Sequence, residues 1–221
     1  MKRLLSIVVA SASLALGMAL PLQQAQAVEV PAATPVMAQL LIELRHPRVV
    51  ALSIDGNEAA AGRTGPRFAE AFRRAGAAGL KRTVHAGESS GPEGVRDAIE
   101  LLGADRIDHG VRAIEDPSVV ALLVDRRIAL GVCPTSNLKL GVAPSIDQHP
   151  IERLRHAGVA VSVNTDDPAL LDTSLVHEYA LCRDTFEWSD DDLWSVARTS
   201  IDASFANDDV KTRLREALGR W

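Results

Sequence analysis

Three short strings hold most of the residues able to do chemistry: His85-Ala86-Gly87-Glu88, Asp108-His109-Gly110 and Asn164-Thr165-Asp166-Asp167-Pro168. An imidazole is a natural zinc ligand, and a nearby carboxylate can carry protons if burial raises its pKa. Ala86 and Gly87 let the chain turn after His85, so Glu88 comes back towards the space the imidazole enters. The chemistry such a set supports is metal-assisted hydrolysis. Each string also has a plain structural reading. His85 and His109 would be packed histidines bonded to backbone, and Asp166-Asp167 a turn or helix cap ahead of Pro168. What favours a site is their joint placement at the ends of successive strands.

Those strands are legible as short apolar runs stopped by polar residues, Gly or Pro. Val49 to Ile54 ends at Asp55-Gly56; further strands run Arg82 to His85, Arg106 to His109, Ile128 to Cys133 and Val159 to Val163. Helical periodicity fills the intervals over Pro66 to Leu80, Gly94 to Leu102, Pro117 to Arg127 and His149 to His156, and most of the chain beyond residue 168. Strand ends near 55, 85, 109, 133 and 164 repeat every 24 to 31 residues or so, one strand plus a crossover helix. Parallel neighbours with right-handed crossovers follow, and in such folds functional groups gather at the carboxyl ends of the strands. All three strings lie there.

Composition agrees with an α/β domain. Of 221 residues 47% are apolar, 24% charged and 4% aromatic, enough for one sizeable core. A net charge of -5 argues against binding nucleic acid by phosphate neutralisation. Cys133 and Cys182 form no metal-finger spacing and read as buried thiols.

The N-terminus differs. Met1-Lys2-Arg3 precedes an uncharged run to Leu20, Pro21 breaks it, and Ala25-Gln26-Ala27 offers a small-x-small cleavage pattern. Residues 1–27 are therefore expected to be a signal peptide, the alternatives being a membrane anchor or a misplaced start. Export to the periplasm or medium would follow, with no stable membrane insertion after cleavage; without the signal the chain would be cytoplasmic. Residues 28–35, with Pro31 and Pro35, read as a linker to a domain over 36–221.

Thr83-Val84-His85-Ala86-Gly87-Glu88, Arg106-Ile107-Asp108-His109-Gly110, Cys133-Pro134-Thr135-Ser136-Asn137-Leu138 and Ser162 to Pro168 resemble, in order, the motifs of the adenosine deaminase family. Asp55-Gly56-Asn57-Glu58 is similar to that family's glycine-containing loop one strand earlier. The resemblance covers about residues 36 to 218 and implies a (β/α)8 TIM-type barrel, of which these pieces are strands 4–8 with their helices. It implies one zinc ion held by His85 and Asp166. Glu88 would protonate N1 of a purine, and His109 would orient the attacking hydroxide and take its proton. Asp167 would bond N7 and the Gly56 backbone N3. The implied reaction converts adenosine, or a related 6-aminopurine nucleoside, to the 6-oxo purine and ammonia. Asn137 reads as loop-shaping and His149 as a helix-start residue.

The chain departs from the family in lacking any His-x-His, the pair that supplies two further zinc ligands from the first strand. The first three strand–helix units are expected to be missing, so the barrel is incomplete, with open edges that invite self-association. Two alternatives follow: a non-catalytic remnant serving as a binding or interaction protein, and a deaminase of adenine or another aminopurine.

Overall fold

The computed structural model describes residues 33–219. The expected signal peptide and residues 28–32 of the expected linker lie outside them. Helix α1 (Ala33–Leu44) starts inside the segment read as linker. Pro35 did not prevent this because it stands in the first turn, where a helix has no use for that N–H.

Five parallel strands follow, β1 (Ala51–Ile54), β2 (Lys81–Ala86), β3 (Arg106–His109), β4 (Ala129–Val132) and β5 (Val161–Val163), paired in sequence order. Between β1 and β2 lie α2 (Glu58–Ala61) and α3 (Ala69–Ala77); α4 (Pro92–Glu100) and α5 (Pro117–Arg126) cross over to β3 and β4. After β4 come α6 (Pro134–Lys139) and α7 (Ile151–His156), and after β5 come α8 (Leu175–Phe186), α9 (Asp190–Asp202) and α10 (Asp208–Leu218). The sheet is the expected part of a (β/α)8 barrel, not closed among the described residues. There β1 and β5 each pair on one side only.

Register sorts the two faces. Val84, Ile107, Leu130 and Val161 line up across β2–β5 and pack on Phe72, Val95, Val119, Leu123, Ile151 and Leu154 in one core. Removing these side chains from water is the main force holding helices to sheet. The opposite face is polar. Thr83 Oγ1 donates to Asp108 Oδ2 at 2.7 Å, and Gly131 and Ser162 continue that row.

Two segments differ from expectation. The stretch read as one helix over Pro66 to Leu80 is a 3-10 turn, Pro66–Phe68, leading into the shorter α3. The Cys133 to Leu138 segment is no loop: Pro134 ends β4 and also opens α6, because its fixed φ and missing N–H suit a first helical position. Asn137 therefore sits on a helix and is fully buried.

Candidate active site

The carboxyl ends of β2, β3 and β5 bring His85, Glu88, His109 and Asp166 into one chain of contacts. His85 Nε2 lies 3.4 Å from Glu88 Oε2, His109 Nδ1 lies 3.2 Å from Glu88 Oε1, and His109 Nε2 lies 3.9 Å from Asp166 Oδ2. The His85 and His109 rings stand 4.5 Å apart. Strict alternation along β3 would send His109 to the helix side with Ala86, its register partner. Its left-handed backbone, φ 65°, breaks the extended geometry and accounts for that ring's place beside His85. Asp166 is left-handed too, at φ 57°. Two non-glycine residues held in this sparsely populated region, both in one cluster, mark a place where backbone strain is tolerated.

Asp55 fixes His85. Its Oδ1 lies 2.9 Å from His85 Nδ1 and also accepts from Gly56 N at 2.7 Å. That leaves Nε2 buried, facing the acids, with no hydrogen-bond partner. A neutral imidazole whose Nδ1–H is held by a carboxylate, with its other nitrogen free, is the usual arrangement of a metal-binding histidine. Burial weighs against a charged His85, but the Asp55 and Glu88 carboxylates beside the ring outweigh it and raise its pKa to about 10. A cation at Nε2 would replace that proton.

The donor set fits a metal at this corner. Groups with ligand atoms within 4.8 Å of one another are His85–Glu88–His109 and His109–Cys133–Asp166, so the two expected ligands, His85 and Asp166, belong to adjoining clusters joined by His109. Ser136 Oγ donates to Asp166 Oδ2 at 2.6 Å and holds that carboxylate. Cys133 offers a thiol but no thiolate, because burial and then the Asp166 and Asp108 carboxylates push its pKa up.

Sequence reasoning undervalued three residues. Asn137 Nδ2 donates to Glu88 Oε1 at 2.9 Å, and Asn137 Oδ1 lies 3.1 Å from His149 Nε2. His149 is the helix-start residue expected, its Nδ1 accepting from Ile151 N at 3.1 Å, and it also backs the site through Asn137. Because Nδ1 accepts, Nε2 carries the proton, which orients the Asn137 amide with its NH2 towards Glu88. Burial, and then Arg153, keep His149 neutral by lowering its pKa to about 4. Glu58 reaches the Gly87–Ser90 loop from α2. None of these contacts spans fewer than 12 residues except the His149 cap, so no local string announces them.

Glu88 itself is held ionised. Burial pushes its pKa up, as expected, but His85, His109 and Asn137 together bring it below the ordinary value. Gly56 adjoins the cluster through Asp55. Asp167 does not join it among the described residues. It is exposed, and its carbonyl accepts from Leu170 N and Leu171 N in a turn.

The adenosine deaminase family model matches residues 9–221. The chain belongs to the adenosine deaminase family. Adenine deaminase of Agrobacterium fabrum (strain C58) is 42% identical over 182 residues, 82% of this chain and 55% of that protein. Adenine deaminase of Rhizobium rhizogenes (strain K84) is 45% identical over 151 residues, 68% of this chain and 47% of that one. Among solved structures, an adenine deaminase from Arthrobacter aurescens superposes with a TM-score of 0.80 at 31% identity, covering 86% of this chain and 57% of that one. A Burkholderia ambifaria amidohydrolase with bound Zn gives 0.77 at 30% identity, covering 86% and 53%. This adenosine deaminase family chain thus spans about half the length of the curated relatives it matches. No helix among the described residues is long and apolar enough to cross a membrane.

Proposed function

We propose that the site serves metal-dependent hydrolytic deamination of a 6-aminopurine, with the free base adenine as substrate ahead of the nucleoside adenosine. One observation carries the reaction class: His85 Nε2 is buried and unpartnered while Nδ1 is tied to Asp55, within reach of Glu88 and His109. The preference for adenine over the adenosine first expected rests on relatives above 40% identity being named adenine deaminases.

His85 and Asp166 would hold the ion, and zinc suits this imidazole–carboxylate pair. When bound, such an ion supplies an activated water near neutral pH. Glu88, ionised before substrate binds, would take up a proton from solvent as the purine enters and donate it to N1 of the ring. A purine closing over the site excludes water, which adds to the burial that favours the protonated carboxyl. His109 donates through Nδ1 to Glu88, so its Nε2 is free to take a proton from the water that attacks C6. The C6–N bond then breaks, ammonia leaves with a proton returned from His109, and the C6 hydroxyl gives its proton back to Glu88 to leave the 6-oxo purine. The backbone at Gly56 is assigned to N3 and Asp167 to N7.

Purified chain is assayed with added zinc for ammonia release from adenine and adenosine, beside a Glu88→Gln control. Release from adenine above that control is expected. No release from either substrate overturns the reading. A second reading, binding without turnover, is favoured by the ligand count: His85 and Asp166 make two where catalytic zinc usually takes three protein ligands. Zinc retained stoichiometrically after dialysis would count against it.

A further inference from the structure

We propose that Glu58 is a positioning residue for Glu88: its carboxylate clasps the turn that carries the acid and fixes where that acid stands. The proposal rests on the deaminase reading of the site. Glu58 Oε1 accepts from Gly87 N at 3.0 Å and from the Ser90 hydroxyl; Oε2 accepts from Glu88 N at 2.8 Å and Ser89 N at 3.0 Å. Three successive backbone N–H groups pointing at one anion form a nest, and here the anion belongs to the protein itself.

The surroundings admit nothing else. The Glu58 side chain is 1% exposed, and among the described residues its one cationic partner within 4.0 Å is His85 Nε2 at that limit. A carboxylate buried with so little opposite charge is retained only because four donors satisfy it. An apolar replacement would leave three N–H groups of a largely buried turn without their acceptor. Glycines complete the fit. Gly87 is left-handed, φ 68°, and a Cβ there would overlap Val95 Cγ2; a Cβ on Gly94 would press on Ser90 Oγ and Glu58 Oε1.

The clasp acts on the acid by leverage. Glu88 N is one of the three held amides, while Asn137 grips the far end of the same side chain. Backbone and carboxyl are each pinned from another strand–helix unit, so the acid has little freedom left. Glu58→Gln keeps the volume but turns an NH2 towards amides that need acceptors, loosening the backbone pin alone.

The experiment pairs amide hydrogen exchange by NMR with kinetics on the full chain. In the wild type, amides of Gly87, Glu88 and Ser89 should exchange slowly. In Glu58→Gln they should lose protection while Val84, Ile107 and Leu130 keep theirs, and kcat should fall about 10²-fold with KM nearly held. Asn57→Ala removes the α2 cap, which accepts from Ala60 N, and should leave the three amides protected. If Glu58→Gln does not fold, Glu58→Asp, which keeps the charge but shortens its reach, should still deprotect Gly87, Glu88 and Ser89. Unchanged protection in a folded Glu58→Gln or in Glu58→Asp overturns the proposal, and so does unchanged kcat. Absence of turnover in the wild type would reject the deaminase reading, and the exchange data would still decide whether Glu58 holds the turn.

Discussion

Asn137 and Glu88, 49 residues apart in sequence, share a buried 2.9 Å hydrogen bond, and His149 Nε2 stands directly behind it at 3.1 Å from Asn137 Oδ1. The three form a line from the core to the acid. Asn137→Ala would leave the His149 Nε2–H buried and unpaired, at a cost of about 1–3 kcal/mol. Chemical denaturation measures it. In a double-mutant cycle with His149→Phe the two losses should be less than additive, because both break one line.

The same histidine makes stability depend on pH. Its pKa is lowered to about 4 when folded, against 6.5 when free. Between those values the unfolded chain takes up a proton the folded one refuses, so this group's effect is to lower stability as pH falls from 6.5 towards 4. His149→Gln has nothing to titrate there. Urea denaturation at both pH values should show the wild type losing more stability than the variant over that interval.

Asp55 should matter to metal rather than to fold. It is 57% exposed at its side chain and its main partner is His85 Nδ1. Asp55→Asn is expected to weaken zinc affinity about 10–100-fold, as loss of a carboxylate behind a ligating histidine generally does. Calorimetric titration of the metal-free protein with zinc checks this, and an unchanged affinity would remove His85 from the ligand set.

Glu88→Gln should separate the acid from the metal. Turnover is expected to fall about 10²–10⁴-fold, the usual worth of a general acid, while zinc content after dialysis stays that of the wild type. Parallel loss of zinc would mean that Glu88 is a ligand.

Gly87→Ala combines a left-handed backbone with a collision against Val95 Cγ2. The expected cost is about 1–3 kcal/mol from overpacking, with strain added. Gly79, left-handed as well but with open space around its Cβ position, is the control, and its Ala variant should lose less.

What the sequence revealed follows from range. Strand ends expected near 55, 85, 109, 133 and 164 fall at 54, 86, 109, 132 and 163, since buried parallel strands are continuous apolar runs closed by local polar residues. His85 and Glu88 could be paired because Ala86-Gly87 is a turn within four residues. Glu58 and Asn137 could not be read in this way. Glu58 meets its partners 29 to 32 residues on and Asn137 meets Glu88 49 residues back, distances that only the crossover connections bring to nothing. Pro134 misled for a local reason: a proline that stops a strand and one that starts a helix look identical in sequence.

The left-handed backbones of His109 and Asp166 carry one more consequence. Glycine at either position would relieve the conformational penalty, so part of the folding free energy is being spent where the reactive groups stand. Variants selected for heat resistance alone would tend to accumulate at these two places and come out robust but inert. Any engineering of this scaffold has to score the proposed ammonia release alongside melting temperature.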